Sequence, residues 1–159
     1  MMTAPPHIRI ARLYTSRGHN FFGQHGKPAG THPLMEHQEI VCVAGRGIEG
    51  DRFFDYPVNH SGQITFFSAE VFADVCSRLG VTGRHPGLTR RNVITTGVDL
   101  NTLIGREFML QGIGFYGVEE CRPCYWMNEA IAPGAETALR SRGGLRAKIL
   151  TAGRLRTDP

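Results

Sequence analysis

The stretch that decides the fold is residues 103–124, LIGREFMLQGIGFYGVEECRPC. Short apolar or alternating runs fill Glu107–Gln111 and Ile113–Val118, and Gly112 lies between them. Two such runs joined through a glycine are typical of a β-hairpin. The pattern therefore predicts two paired strands that lead directly into a pair of closely spaced cysteines.

Similar runs recur along the chain and are separated by Gly, Pro, Asn or Asp. They predict further strands over Ile8–Tyr14, Glu39–Val43, Gln63–Phe67, Asn92–Thr95, Arg146–Leu150 and Arg154–Arg156. Many short strands at close intervals indicate a mainly β protein, either a barrel or a sandwich. The segment Gly18–His37 lacks this periodicity and is predicted to form a long loop.

Two helices are predicted to interrupt the strands. Residues Ala69–Leu79 carry one apolar stripe, Ser68 precedes them as a capping residue, and Gly80 ends them. A second, shorter helix is predicted near Glu136–Arg140.

Length and composition favour a single globular domain over residues 1–159, with an ordered core over about residues 8–156. The chain is 41% hydrophobic and 20% charged, and its four cysteines are too few for a disulfide-stapled secreted domain. No apolar run approaches the ~20 residues that span a bilayer, and Met1–Arg12 lacks the apolar core of a secretory signal. We therefore expect reduced thiols, a cytoplasmic location and no membrane partner.

The positive charge of the chain comes almost entirely from arginine. Sixteen of the eighteen basic residues are Arg, and the formal net charge is +4. The planar guanidinium suits phosphate and carboxylate oxygens, whereas a general compositional bias toward Arg would give the same count. Only arginines inside motifs therefore indicate function, and we expect no nucleic-acid partner.

The pair Cys121 and Cys124 is the sharpest local feature. Thiols at this spacing bind a metal, form a redox disulfide, provide one thiolate ligand, or are simply buried. A structural zinc site needs four ligands, and no second close Cys or Cys/His pair is present. The seven His residues show no ligand spacing and are expected in loops or at the surface.

Three polar clusters have residue types that suit an anionic ligand. Asp51 and Arg52 follow a glycine-rich turn, residues 90–92 (Arg-Arg-Asn) lead into a predicted strand, and residues 142–146 (Arg-Gly-Gly-Leu-Arg) offer glycine amides between two guanidinium groups. Each cluster also has a purely structural interpretation, as a turn closed by an ion pair, a solvated strand end or an exposed glycine turn.

Taken in order, these motifs resemble the MOSC domain, the C-terminal module of molybdenum cofactor sulfurases. The resemblance rests on GIEGDR (47–52), GQIT (62–65), RRNV (90–93), GVDL (97–100), LIGREF (103–108), CRPC (121–124) and RGGLRA (142–147). It implies a closed β-barrel with one or two short helices that binds the molybdenum cofactor (molybdopterin), a pterin dithiolene that carries a phosphate.

The same resemblance implies roles for individual residues. Cys124 matches the essential cysteine of the family and is expected to be both the catalytic residue and the metal ligand. The expected cofactor-binding residues are Asp51, Arg52, Arg90, Arg91, Asn92 and Arg146. A soft thiolate suits molybdenum already held by dithiolene sulfurs, and guanidinium groups neutralise a phosphate.

The function that the resemblance implies is that of a molybdenum-dependent oxidoreductase. It would remove oxygen reductively from N-hydroxylated or similar small molecules. The alternative is a non-redox carrier of sulfur, as a persulfide, or of cofactor for other molybdoenzymes. Since the motifs include no fused reductase or pyridoxal-phosphate domain, we expect the electron donor or sulfur donor to be a separate protein.

Overall fold

The structure, a computed structural model, describes residues 8–18, 32–56 and 60–159. Within these ranges the chain forms ten β-strands, three α-helices and two short 3₁₀ helices. The strands are β1 (Arg9–Thr15), β2 (Met35–His37), β3 (Glu39–Val43), β4 (Gly47–Ile48), β5 (Ile64–Ser68), β6 (Val93–Thr96), β7 (Glu107–Leu110), β8 (Ile113–Glu120), β9 (Leu145–Ile149) and β10 (Gly153–Arg156). The helices are α1 (Ala69–Leu79), α2 (Trp126–Ala130) and α3 (Ala135–Ala138), and the 3₁₀ helices are Pro86–Thr89 and Leu100–Leu103.

The eight strands predicted from the sequence are all present, with ends shifted by at most two residues. The strands β2 and β4 were not predicted. Strand β2 lies within the predicted loop Gly18–His37, of which residues 19–31 lie outside the described residues. Both unpredicted strands are too short, at three and two residues, to show a periodic pattern.

The larger sheet has seven strands in the order β2-β1-β6-β5-β9-β8-β7. All neighbours are antiparallel except β5 and β6, which are parallel and are connected through α1. The order places the starts of β5 and β9 beside each other, because Thr65 is paired with Arg146. It also places the end of β8 beside the start of β9, through the pairing of Glu120 with Leu145.

The closed β-barrel expected from the resemblance is not supported, because neither sheet of the described residues closes on itself. The smaller sheet has the order β10-β3-β4, and the outer strands of the larger one are β2 and β7. The two sheets share one apolar core and are joined by individual hydrogen bonds. Gln111, in the β7–β8 turn, donates its side-chain amide to Arg156 O (2.8 Å) and accepts from Arg156 N–H (2.8 Å). This link between the sheets uses the side chain of Gln111. In a closed barrel, neighbouring strands would be linked by a ladder of backbone hydrogen bonds.

Beyond β10 the chain ties the smaller sheet to β1. The amide of Asp158 donates to Ile10 O (2.9 Å), and its carboxylate accepts from Ile10 N–H (2.6 Å). The ordered contacts therefore continue past the last strand.

Helix α1 confirms the prediction residue for residue. Ser68 Oγ accepts from Val71 N–H (3.1 Å), and Gly80 ends the helix in the left-handed region at φ 67°. The helix buries Phe72 and Val75. The second predicted helix is α3, which begins one residue earlier than expected, and α2 was not predicted, so three helices replace the expected one or two.

Two apolar clusters hold these elements together. One lies among the strands, where the rings of Phe66, Phe108 and Phe115 pack with centroids 5.5–5.7 Å apart. The other packs α1, α2 and α3 against the larger sheet around Phe67 and Trp126. Of the helices described, none is both long and apolar enough to cross a membrane.

Candidate functional site

One cavity of about 230 Å³ collects side chains from distant parts of the sequence. It is lined by five arginines and both cysteines of the pair, namely Arg52, Arg90, Arg91, Arg122, Arg146, Cys121 and Cys124. We call it the thiol pocket. Two further cavities, of about 320 and 380 Å³, contain no cysteine. The structure therefore brings the sequence-predicted Cys124, Arg52, Arg90, Arg91 and Arg146 to one place.

The two cysteines differ in accessibility. Cys124 is exposed, whereas Cys121 is buried at 6% exposure. The amide of Cys121 donates to Gly144 O (2.8 Å), and Cys124 O accepts from Met127 N–H (2.9 Å) at the start of α2. Cys124 is thus the thiol that a ligand or a partner can reach.

The protein itself uses the guanidinium of Arg91 to connect three segments of backbone. Nε donates to Gly143 O (3.2 Å), Nη1 to Thr89 O (3.0 Å) and Nη2 to Cys121 O (3.2 Å). A guanidinium carries five N–H groups, so two remain for other partners.

Arg90 is the most deeply buried of the pocket arginines, at 7% exposure. Its guanidinium donates to Ser16 Oγ, to Gly18 O (3.0 Å) and to His32 O (3.4 Å). Burial, together with repulsion from Arg52, lowers the pKa of Arg90 to about 10. Arg90 therefore holds the chain around residues 16–18 and 32 against the pocket.

Asp51 and Arg52 lie in the turn segment that follows β4. Arg52 donates to Asp51 Oδ1 (3.3 Å) and to Arg90 O (3.3 Å), and its guanidinium lies 4.7 Å from the centre of the Phe53 ring. The Asp51 carboxylate also accepts from Ser16 N–H (3.1 Å). Burial lowers the pKa of Arg52, and Asp51 opposes that shift.

Asn92 is buried at 2% exposure and does not line the thiol pocket. Its Nδ2 donates to Tyr14 O (3.1 Å), and its Oδ1 accepts from Thr65 N–H and from Thr65 Oγ, both at 3.0 Å. The amide thus joins β1, β5 and the start of β6. Its expected contact with a cofactor stays a prediction.

Arg146 and Arg122 differ from the other pocket arginines. Within the described parts of the chain, neither side chain has a hydrogen bond or an ion pair with the protein. Arg146 is half-buried on β9, and Arg122 is exposed between the cysteines. These two guanidinium groups are therefore available to an anion in the pocket.

Neither Gly143 nor Gly144 lines the thiol pocket, so the interpretation in which their amides meet an anion there is not supported. The amide of Gly143 donates to Glu120 Oε2 (3.1 Å), and Arg142 pairs with Asp74 (2.7 Å). A Cβ on Gly143 would lie 2.4 Å from Cys121 O. The glycine therefore allows close approach of the cysteine segment, and of this motif Arg146 is the residue that reaches the pocket.

Sequence reasoning missed Phe53, His60 and Thr65, which also line the pocket. The rings of Phe53 and His60 stack with centroids 5.1 Å apart. No spacing signal links these residues to the cysteines. The one available signal was position, since Phe53 directly follows Arg52 and Thr65 lies in the quoted GQIT motif.

The fold and the pocket together define a β-rich domain with an accessible thiol in a cationic cavity. The chain matches the MOSC domain family over residues 50–158. It belongs to the MOSC domain family, whose members are associated with binding of the molybdenum cofactor.

Solved structures of other proteins share this fold. The YuaD protein from Bacillus subtilis is 18% identical with a TM-score of 0.74, over 94% of this chain and 91% of that one. YiiM from Geobacillus stearothermophilus is 14% identical with a TM-score of 0.66, over 94% and 71% of the two chains. YiiM from Escherichia coli is 15% identical with a TM-score of 0.64, over 96% and 67%. No curated protein sequence gives a significant match.

The residues of the thiol pocket fit the cofactor chemically. Cys124 offers an accessible soft ligand, and Arg146 and Arg122 offer guanidinium donors for phosphate oxygens. In the described part of the chain, no group of three or more His, Cys, Asp or Glu side chains could hold a metal ion by itself. A metal beside Cys124 would therefore need most of its ligands from another molecule, as the dithiolene of a pterin provides.

Proposed function

We propose that this MOSC protein binds the molybdenum cofactor in the thiol pocket and removes oxygen reductively from small molecules, N-hydroxylated compounds among them. The observation that carries the proposal is the position of the exposed Cys124 in a cavity lined by five guanidinium groups. Asp51 pairs with Arg52 (3.3 Å), and its carboxyl is fully buried. The pocket therefore attracts a polyanion that also carries a thiophilic metal.

The pocket residues divide the work between them. Cys124 would ligate the metal, and Arg146 and Arg122 would pair with the phosphate of the cofactor, because their donors are not used by described residues. Arg52, Arg90 and Arg91 would contribute positive charge from fixed positions, because each is already hydrogen-bonded to the protein. Asp51 would support Arg52, with which it pairs, and Asn92 would hold the pocket residue Thr65 in place.

The proposed reaction consumes two electrons and two protons for each oxygen removed, which turns an N–OH group into N–H and releases water. When bound, the molybdenum cofactor supplies the centre that accepts oxygen and exchanges electrons. The electrons would come from a separate donor protein. The open, exposed position of Cys124 leaves room for such a donor and for a small substrate.

The test is the cofactor content of protein produced in a host with active cofactor synthesis. Molybdenum is measured by elemental analysis and pterin by fluorescence after oxidation, and protein from a cofactor-deficient host is the blank. We expect equimolar molybdenum and pterin in the natural protein and reduced molybdenum in Cys124→Ser. Cys76→Ser, a change in a half-buried thiol outside the pocket, is the control and should retain both. Molybdenum and pterin no higher than the blank would refute the proposal.

The exposure of Cys124 also favours a second candidate, a carrier in which this thiol holds a persulfide for transfer to another protein. A persulfide needs an accessible sulfur and does not need bound metal. Alkylation followed by mass analysis separates the two candidates. A persulfide adduct on Cys124 in protein without molybdenum would support the carrier, and cofactor-dependent reduction of an N-hydroxylated compound would support the enzyme.

A further inference from the structure

The segment Cys121–Cys124 has little regular structure of its own and depends on contacts with other segments for its position. It follows β8 and precedes α2. Its first residue is fixed through the amide, which donates to Gly144 O (2.8 Å), and through the carbonyl, which accepts from Arg91 (3.2 Å). The position of Cys121 therefore depends on these two anchors, and the other end of the segment is held by Met127 N–H, which donates to Cys124 O (2.9 Å).

We infer that Arg91 is the positioning residue of the thiol pocket: its guanidinium clamps the Cys121–Cys124 segment to the Gly143 turn. This inference deepens the proposed function, but it can be tested on protein that carries no cofactor. Arg91 is then distinct from Arg146, which shares the pocket without being hydrogen-bonded to described residues.

The clamp joins segments that are far apart in sequence. Arg91 Nε donates to Gly143 O and Nη2 donates to Cys121 O, each at 3.2 Å, while Nη1 donates to Thr89 O at 3.0 Å. The bond to Thr89 O, two residues earlier in the chain, fixes the orientation of the guanidinium. Nε and Nη2 are therefore held in position to donate to Gly143 O and Cys121 O. The cysteine segment and the turn before β9 are thereby held at a fixed separation.

Packing between the two segments is close enough to need this arrangement. A Cβ on Gly143 would lie 2.4 Å from Cys121 O and 2.8 Å from Pro123 Cδ. The cysteine segment therefore rests directly on the glycine. Gly143 has no positive φ, so a larger residue there would act by steric displacement of Cys121 rather than by backbone strain.

The geometry requires arginine rather than a simple positive charge. A guanidinium directs N–H groups in several fixed directions within one plane, whereas a lysine ammonium is a compact charge on a flexible stem. One ammonium cannot reach three carbonyls that surround Arg91 on different sides. Lysine would keep the charge of the pocket but release at least one of the two clamped segments.

Two N–H groups of Arg91 remain after the three recorded bonds. Because Arg91 also lines the pocket, those donors can meet an oxyanion there. The same side chain would then hold the Cys121–Cys124 segment and donate hydrogen bonds to the bound anion.

The experiment compares Arg91→Lys with Arg146→Lys by amide hydrogen exchange of the cofactor-free protein. Both changes preserve the charge and both lie in the pocket, but only Arg91 is hydrogen-bonded to the cysteine segment. Loss of a charge-assisted hydrogen bond predicts that the Cys121 amide exchanges at least about tenfold faster in Arg91→Lys. Amides of β5 and β9 should keep their natural rates, and Arg146→Lys should leave Cys121 unchanged.

A second variant and a second readout address the same contact. Gly143→Ala should also accelerate exchange at Cys121, and both variants should change the iodoacetamide alkylation rate of Cys124, whereas Arg146→Lys should not. An unchanged Cys121 rate in Arg91→Lys would overturn the inference. Acceleration spread equally over β5 and β9 would overturn it as well, because it would assign Arg91 to general stability. Neither measurement depends on cofactor content. A protein that fails to bind cofactor would therefore refute the proposed function and leave the inference about Arg91 untouched.

Discussion

Replacing Arg146 by alanine separates cofactor binding from folding. Arg146 is half-buried on β9, opposite Thr65, and its side chain lines the thiol pocket. Its guanidinium has no hydrogen bond or ion pair with the residues that the structure describes. Removing it therefore breaks no hydrogen bond or ion pair with the described residues.

The expected effects on stability and on binding differ widely. A substitution without such contacts changes the free energy of unfolding by about 0.5 kcal/mol or less. A charge-assisted hydrogen bond to a phosphate contributes roughly 1.5–3 kcal/mol to binding. That loss corresponds to a dissociation constant about 10–150-fold larger, since each 1.4 kcal/mol is about tenfold.

The assay measures urea unfolding of the cofactor-free protein together with molybdenum and pterin content after purification. Arg106→Ala is the matched control, because Arg106 is exposed, has no recorded side-chain bond in the described chain and lies outside the pocket. Both variants lose one positive charge. We expect Arg146→Ala to lose cofactor during purification with an unchanged unfolding midpoint, and Arg106→Ala to resemble the natural protein in both measurements.

Arg90→Ala provides the opposite case. Its guanidinium is buried and hydrogen-bonded to Ser16, Gly18 and His32, so its removal leaves buried polar groups without partners and costs about 2–4 kcal/mol of stability.

Full cofactor content in Arg146→Ala would refute the reasoning about the pocket. Equal cofactor loss in Arg106→Ala would show that net charge, not position, controls retention.

Three further predictions concern Asn92, Asp74 and the cysteine thiols. Asn92→Ala should lower the free energy of unfolding by about 3 kcal/mol, measured by urea unfolding, because it abolishes a buried side-chain network; a shift below about 0.5 kcal/mol would contradict it. The hydrogen bond from Arg142 lowers the pKa of Asp74, so this carboxylate stabilises the fold above its unfolded pKa and the contribution disappears as pH falls through the folded value. The difference in melting temperature between the natural protein and Asp74→Asn should therefore shrink from about pH 6 to about pH 3, and a constant difference would exclude this linkage. Iodoacetamide at neutral pH should label Cys124 but not the fully buried Cys42, since burial raises the pKa of Cys42 to about 12; peptide mass spectrometry that finds equal labelling before unfolding would contradict this.

Local features of the fold could be predicted from the sequence because local interactions produce them. Helix α1 has its cap, apolar stripe and terminal glycine within thirteen residues, Ser68 to Gly80, and its bounds were predicted correctly. The β7–β8 hairpin is equally local, with Gln111 and Gly112 both at positive φ, 50° and 79°, as a type I′ turn requires. Strands β2 and β4, in contrast, owe their assignment to pairing with partners and carry no pattern of their own.

The arrangement of the sheets could not be predicted in this way. Closure depends on whether two outer strands meet along a ladder, and no local pattern reports that distance. Here Gln111 uses its side-chain amide to join Arg156, and Asp158 joins Ile10 beyond the last strand. Both contacts connect residues that are more than forty positions apart, so the expected closed barrel could be corrected only from the structure.

The membership of the site was more predictable than the division of labour within it. Arg52, Arg90, Arg91, Arg146 and Cys124, which the motifs single out, all line one cavity, and their roles toward a cofactor stay predictions. The sequence did not distinguish an arginine that is hydrogen-bonded to backbone carbonyls from one whose donors are available. That distinction depends on the neighbouring carbonyls, which tertiary packing supplies. Tertiary packing likewise determines the partners of Asn92, whose amide is bonded to Tyr14 and Thr65 and does not line the pocket.

This division explains how a cluster of like charges persists inside a stable domain. Repulsion from Arg52 contributes to the lowered pKa of Arg90, and repulsion from Arg91 contributes to that of Arg52, so the arginines oppose one another. Hydrogen bonds from Arg52, Arg90 and Arg91 to carbonyl and hydroxyl oxygens offset this repulsion within the protein. An anion bound among these arginines would offset the remaining repulsion. Its binding would therefore be more favourable than its direct hydrogen bonds alone would make it. Substitutions of Arg52 and Arg90 should therefore impair folding and binding together, whereas substitutions of Arg122 and Arg146 should impair binding alone.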